Sequence, residues 1–311
     1  MAKRFGEGAV AAYDTSVADT LLGCIIGGAI GDAAGAAFEG KQAGPAVPSL
    51  LNADWRLTDD TQLTLATCEA LAGVGNPDPA LIAASFLRWF RARRLTGLGA
   101  STLKALRDLE IGTHWALAGR KGERAAGNGA AMRIAPLAFC MDPMPEQSRR
   151  LIRDICRITH HHDEAYVGAL AVLLAIRSAK EIGVTLDGIA SCLPETSVRD
   201  RLASYAALPS TATLAEAARN YGVSGYVVES VPFALFAASR VGELGFMGML
   251  EEIIAAGGDT DTNASLAGQV AGTALGLHRL PKEFVERLPQ AELVFGIART
   301  FAEKIATRRP L

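Results

Sequence analysis

Aromatic side chains are scarce in this chain, 6% of 311 residues, whereas glycine is plentiful at 32. That composition suits close packing of small side chains better than a stacking platform for a ligand. A strong charge of one sign is also missing: the formal net charge is −2. The sequence therefore has no basic footprint for nucleic acid, and no long run of like charge marks a solvated tail. Cys24, Cys68, Cys140, Cys156 and Cys192 are odd in number, scattered and never in a C-x-x-C pair. This argues against a disulfide framework or a zinc ribbon and makes a reducing cytoplasm the simplest compartment. Also absent are a Gly-x-Ser-x-Gly elbow, a Walker phosphate loop and any convincing period-2 strand.

One apolar run, "LLGCIIGGAIGDAAGAAF" at 21–38, is about as long as a membrane span. Asp32 interrupts it, Asp14 and Asp19 precede it, and Lys3 with Arg4 is too distant for a signal-peptide n-region. A core helix is the expectation. Gly23, Gly27, Gly31 and Gly35 recur every four residues and strip one face to backbone. Each glycine costs a helix roughly 1 kcal/mol relative to alanine, so a closely approaching partner must compensate. The segment after Asp261 has a similar face in Ala264, Ala267, Gly268, Ala271, Gly272 and Leu275. Packing the two together would bring Asp32 and Glu39 near the acids that precede that segment.

Those acids lie in "GGDTDTNASLAG", 257–268, where Asp259 and Asp261 stand at the mouth of a helix. Asp and Thr are good N-caps and the helix dipole favours them there, so capping suffices for this stretch alone. "LTDDTQLTLA", 57–66, repeats the pattern: Thr58, Asp59 and Asp60 precede Leu63, Ala66, Thr67, Ala70 and Leu71 in helical register. One cap needs one acceptor, and adjacent carboxylates repel. Two acid-dense helix starts, far apart in sequence, are what two half-sites closing on metal would require. With no Cys or His in either, Mg2+ or Mn2+ fits better than zinc.

Further helices are expected at 78–94, 164–182, 226–240 and 290–308, joined by short turn-rich stretches such as 41–49 and 73–79. The fold class expected is all-α: one compact domain, 1–311, of a dozen or so helices. "GNGAAMR", 127–133, leaves backbone N–H groups ahead of an apolar helix "IAPLAF", either a nest for phosphate or an ordinary glycine turn. "ITHHHDEA" holds His160, His161 and His162, readable as zinc ligands with Asp163, as substrate contacts or as a solvated helix start. Glu39 is either a general base or a solvated helix end, and "RARR" at 91–94 a solvated face.

"GCIIGGAIGDAAGAAFE", "TDDTQLTLA", "GNGAAMR", "ITHHHDEA", "GYVVESVPFAL" and "GGDTDTNASLAG", in this order, resemble the ADP-ribosylglycohydrolase family from about residue 19 to 277. The resemblance implies an all-α fold with two divalent cations, Mg2+ or Mn2+, at the base of an ADP-ribose cleft. It implies Thr58, Asp59, Asp60, Asp259, Asp261 and Thr262 as metal ligands, with Asp60 and Asp259 essential to catalysis. Gly127, Asn128, Gly129, Ala130, Ala131 and Met132, with His160, would contact substrate, and Glu39 matches the acid near the scissile ribose. The implied activity is release of ADP-ribose from a modified protein or small conjugate, arginine-linked by family habit. Arginine-directed members have an aspartate where this chain reads Thr96 and Gly97, so a serine or other oxygen linkage stays open. A binding protein that has lost catalysis and a two-metal phosphoesterase are the competing classes; an intact ligand set speaks against the first.

Overall fold

The computed structural model describes residues 17–40, 44, 49–73, 76–181 and 183–307. Lys3, Arg4 and Asp14, most of 41–49, residues 74 and 75 of the second turn-rich stretch, and expected helix ends 182 and 308 lie outside them. Fourteen α-helices run in chain order among the described residues: α1 Val17–Gly35, α2 Asp59–Ala72, α3 Pro79–Arg91, α4 Ala100–Glu110, α5 Glu146–Arg157, α6 Asp163–Glu181 and α7 Leu186–Ser191. Then come α8 Ser197–Ala206, α9 Leu214–Tyr221, α10 Val227–Ser239, α11 Val241–Ala256, α12 Thr260–Leu275, α13 Lys282–Arg287 and α14 Ala291–Ala306. The all-α expectation holds, with one small addition: β1 Arg120–Lys121 and β2 His160–His161 pair in parallel over two residues each.

The long helices end where local chemistry stops them. α3 starts on Asp78, whose carboxylate accepts from the Ala80 N–H at 2.8 Å, and Pro79 stands at its first position. It finishes at Arg91, three residues short of expectation, because Arg93 adopts a positive φ of 55°. "RARR" is exposed, as expected, but mostly beyond the helix. The "IAPLAF" stretch forms a short 3-10 helix, Ala135–Phe139, rather than an α-helix. Pro136 lacks an N–H, and Leu137 and Cys140 donate to the carbonyls three residues back.

The α1 and α12 pair fixes the centre of the fold. A Cβ on Gly23, Gly27, Gly31 or Gly35 would stand 2.2, 2.4, 2.0 and 2.4 Å from the carbonyl oxygens of Gly272, Gly268, Ala264 and Thr260. No side chain fits there. Partner numbers fall by four as α1 rises by four, so the helices are antiparallel and touch backbone to backbone. That close contact is what offsets the glycine cost, and it sets the C-terminus of α1 beside the N-terminus of α12. α1 is long and apolar enough to cross a membrane, yet 78% of that apolar window is buried inside the fold. α2, α6 and α10 complete the centre, each buried over most of its length; α10 is apolar nearly all round, as a helix buried on every face must be, whereas α2 buries acids and threonines in its first turns. α14 covers it with Val294, Ala298, Phe301 and Ile305.

Candidate active site

Both acid-dense helix starts open into one place. Thr58 is the N-cap of α2, its hydroxyl accepting from the Asp60 N–H at 3.3 Å, so capping is real there. At the other start it is not: Asp259 precedes α12 without capping it, and its Oδ2 accepts from Asn128 Nδ2 at 2.7 Å. Thr262 Oγ1 donates to Asp60 Oδ2 at 3.2 Å, tying the starts together across 202 residues. Asp261 Oδ1 accepts from the Thr262 N–H at 2.9 Å.

Asp60 Oδ1 is buried and has no hydrogen-bond partner among the described residues. Such an atom costs about 1–3 kcal/mol or more if left alone. Two groups of three carboxylates, Asp32 with Asp60 and Asp261, and Glu39 with Asp259 and Asp261, each bring oxygens within 4.8 Å of one another. Asp261 belongs to both. Burial, then the charges of Asp261, Asp32, Asp59 and Asp259, hold the Asp60 carboxyl well above the carboxylate range. Burial, then Asp32 and Asp261, does the same to Asp59. Asp261 is pushed up to about 7 by burial and by Asp259. An orphaned oxygen among mutually repelling carboxylates and threonine hydroxyls fits a hard divalent cation. Among the described residues, no group close enough to share an ion contains histidine or cysteine.

Asp32 is the site residue whose work was not legible beforehand. It is fully buried, and its carboxylate accepts from the backbone N–H and hydroxyl of both Thr58 and Thr61. The Thr58 hydroxyl stands 2.7 Å from Asp32 and 3.2 Å from Asp60, so its hydrogen goes to Asp32. With one lone pair accepting from the Asp60 N–H, the other is left free to face a cation held by the acids. The signal was present in the sequence, since a charged residue in an otherwise apolar buried helix needs a reason. Burial, partly offset by these bonds, raises Asp32 to about 6.

Above the acids opens a cleft of about 310 Å³. Glu39, Asp59, Asp60, Asp259, Asp261 and Thr262 line its floor, and Gly127, Asn128, Gly129, Met132 and His160 line a wall. Thr58, only 5% exposed, lies among the floor residues without lining the cleft, and Ala130 and Ala131 are wholly buried and do not line it either. The 127–132 loop spends some of the N–H groups expected for a nest: Asn128 donates to Gly225 O at 3.1 Å, and Ala131 and Met132 donate to Asn128 O. Arg120, Gly225 and the segment from Gly99 to Thr102 also line the cleft, and sequence reasoning passed them over.

Glu39 sits in the turn just after α1, exposed at the cleft edge. The negative charge of Asp261, then partial burial, raises its pKa against the opposing pull of Arg56. The three histidines do three different things. His160 is buried on β2, its Nδ1 2.8 Å from Thr159 Oγ1. His161 Nε2 lies 2.6 Å from Ala118 O, and His162 Nδ1 accepts from the Glu164 N–H at 3.1 Å as α6 begins. Thr96 is locked to Gln62, which accepts its N–H at 2.7 Å and donates to its hydroxyl at 2.9 Å. Gly97 has φ 76°, and a Cβ there would lie 3.5 Å from Asp59 Oδ1.

A family model for ADP-ribosylglycohydrolases matches residues 14–310. The chain is 27% identical over 291 residues to ADP-ribosyl-[dinitrogen reductase] glycohydrolase of Rhodospirillum rubrum, covering 88% of this chain and 91% of that one. It is 26% identical over 316 residues to ADP-ribosylarginine hydrolase Tri1 of Pseudomonas putida, covering 92% and 78%. A solved structure, an ADP-ribosylglycohydrolase-related protein complex, superposes with a TM-score of 0.66 at 26% identity, over 93% of this chain and 98% of that one. Paired helix starts, a shared acid centre and a glycine-asparagine wall thus belong together: the chain is a member of the ADP-ribosylglycohydrolase family of hydrolases.

Proposed function

We propose that this protein is a two-metal ADP-ribosyl hydrolase that cleaves the bond between ADP-ribose and a modified acceptor, arginine first. The observation that carries this reading is Asp261, common to two groups of carboxylates on the floor of the cleft. Thr58, Asp59, Asp60, Asp259, Asp261 and Thr262 would hold Mg2+ or Mn2+, with Asp32 orienting Thr58. When bound, such ions supply a polarised water and a template for the ribose hydroxyls.

The chain's own residues account for the rest. Glu39 stands exposed at the cleft edge, and the neighbouring charge of Asp261 raises its pKa, which makes it a better base than an ordinary glutamate. It takes a proton from the attacking water as the water oxygen bonds to C1″ and the bond from C1″ to the acceptor breaks, and it passes that proton on to the departing acceptor. Asn128 is held by Asp259, so the wall that contacts the diphosphate and ribose is tied to the acid floor. The five cysteines form no disulfide, which suits a reducing cytoplasm.

Similarity to an ADP-ribosylarginine hydrolase supports arginine as the linkage. An oxygen-linked acceptor is the second reading, favoured by the absence of an acid at Thr96 and Gly97. Incubation of the full chain with arginine-, serine- and DNA-linked ADP-ribose, with Mg2+ or Mn2+, separates them. Released ADP-ribose supports the glycohydrolase, AMP indicates a pyrophosphatase, and full activity after verified removal of metal refutes the metal centre.

A further inference from the structure

The glycine-asparagine loop runs on into Arg133, a residue that none of the chemistry above uses. Its side chain is 1% exposed. Nη2 donates to Thr159 Oγ1 at 2.8 Å and to Ile155 O at 3.4 Å, and the guanidinium lies over the Phe86 ring at 4.6 Å. Nε and Nη1 have no hydrogen-bond partner among the described residues. A buried cation held without a carboxylate is expensive, so what it does for its neighbours matters.

Counting protons from Arg133 outward, one arrangement gives the buried Thr159 hydroxyl hydrogen an acceptor among the described residues. A guanidinium can only donate, so Thr159 Oγ1 accepts from it. The threonine hydroxyl has one hydrogen, and among the described residues its acceptor is His160 Nδ1, 2.8 Å away. Nδ1 therefore carries no proton. Burial, then the charges of Arg133, Arg120 and His161, lowers His160 to about 3, so the ring is neutral. The remaining proton sits on Nε2. That edge faces the cleft wall, where a Cβ on Gly127 or Gly129 would come within 3.3 or 3.2 Å of Nε2.

We propose that Arg133, acting through Thr159, holds His160 in its Nε2–H tautomer and makes it an uncharged hydrogen-bond donor to an oxygen of bound ADP-ribose. Arg133 and Thr159 are positioning residues, and the donor role rests on the ADP-ribose reading above. A neutral donor binds a diphosphate or ribose oxygen with a strength that does not vary over the ordinary pH range. It also removes His160 from consideration as a general base, since one nitrogen accepts from Thr159 and the other is protonated.

The test is 15N NMR of histidine-labelled full-length protein in Mg2+, with the His160 ring assigned by His160→Asn. The expected wild-type spectrum shows a neutral ring protonated on Nε2, unchanged between pH 5.5 and 8. Thr159→Ser should preserve it. Thr159→Val, which keeps shape and loses the hydroxyl, should populate the Nδ1–H form and raise KM about five- to tenfold with kcat nearly unchanged, the worth of one hydrogen bond. A wild-type ring protonated on Nδ1, or a Thr159→Val ring still wholly Nε2–H, overturns the relay. The expected tautomers in a protein that neither binds nor hydrolyses ADP-ribose would support the relay and refute the proposed function.

Discussion

Replacing Asp261 with asparagine is expected to stabilise the metal-free protein at neutral pH while abolishing turnover. Burial and the neighbouring charge of Asp259 push the Asp261 carboxyl from 3.8 up to about 7. A carboxyl raised in this way favours the folded state below its unfolded pKa, and the contribution is lost as pH rises through about 7. At 1.36 kcal/mol per pKa unit, ionising it inside the fold costs on the order of 4 kcal/mol by pH 8. An amide escapes that cost. Its oxygen can keep the 2.9 Å bond from the Thr262 N–H, and its NH2 can donate to Asp259. Unfolding entropy of about 2.1 cal/mol/K per residue gives roughly 0.65 kcal/mol/K for the chain. Thermal unfolding in EDTA should therefore show Asp261→Asn melting up to about 6 °C above wild type at pH 8, with almost no difference at pH 4. Mg2+ at about 100 times its Kd should add about 2.7 kcal/mol, roughly 4 °C, to wild type alone. A difference between variant and wild type that stays flat or turns negative from pH 4 to pH 8 would refute this electrostatic account.

Glu39→Gln should cut kcat by about 10²- to 10⁴-fold, the worth of a positioned general base, with ADP-ribose affinity by calorimetry nearly unchanged; normal turnover would make Glu39 a bystander. Gly31→Ala puts a methyl 2.0 Å from the Ala264 carbonyl oxygen, between two backbones that cannot yield separately. A loss of about 3 kcal/mol in urea unfolding, together with weakened metal binding, is expected, and an unmoved midpoint would show that the α1 and α12 contact relaxes freely. Gly99→Asp should raise the arginine-over-serine ratio of kcat/KM about tenfold to a hundredfold, the worth of a charge-assisted hydrogen bond. An unchanged ratio would place acceptor choice elsewhere in the cleft.

How far the fold could be read from the sequence depended on how local the causes were. The four-residue glycine spacing of α1 has one physical explanation, close backbone contact, and the matching small face after Asp261 supplied the partner. Antiparallel pairing of those faces then carried Glu39 to the acids, a long-range result obtained from short-range pattern. Tertiary partners were not readable in the same way. Nothing local shows that Asp259 serves Asn128 rather than its own helix, or that Asp32 takes the Thr58 hydroxyl proton. The "ITHHHDEA" motif illustrates both sides: its chemistry is evident, but only pairing with Arg120 and Lys121 buries His160 while leaving His162 at a helix start.

The acceptor side is where spacing misleads most. An acid at 97 would be strained whatever its chemistry, because Gly97 adopts φ 76° and a Cβ there would stand 3.3 Å from Thr58 Cβ, while Thr96 is already committed to Gln62. Gly99 differs: it is the N-cap of α4, with φ −61° and, among the described residues, no atom within 4 Å of a Cβ. An aspartate there would be well placed as a cap and would still line the cleft. The native chain also has a carboxylate outside this loop. Glu39 borders a second hollow of about 450 Å³, lined by Phe38, Asp54 and Arg56 among others. A guanidinium leaving past Glu39 would meet Arg56 as well as Asp54, so Asp54 is what offsets the like charge there, whereas a serine hydroxyl needs no such partner. Asp54→Asn should therefore lower the arginine-over-serine ratio just as Gly99→Asp raises it. Opposite shifts would assign acceptor choice to charge on either side of Glu39, and an effect of Gly99→Asp alone would confine it to the 96–102 loop.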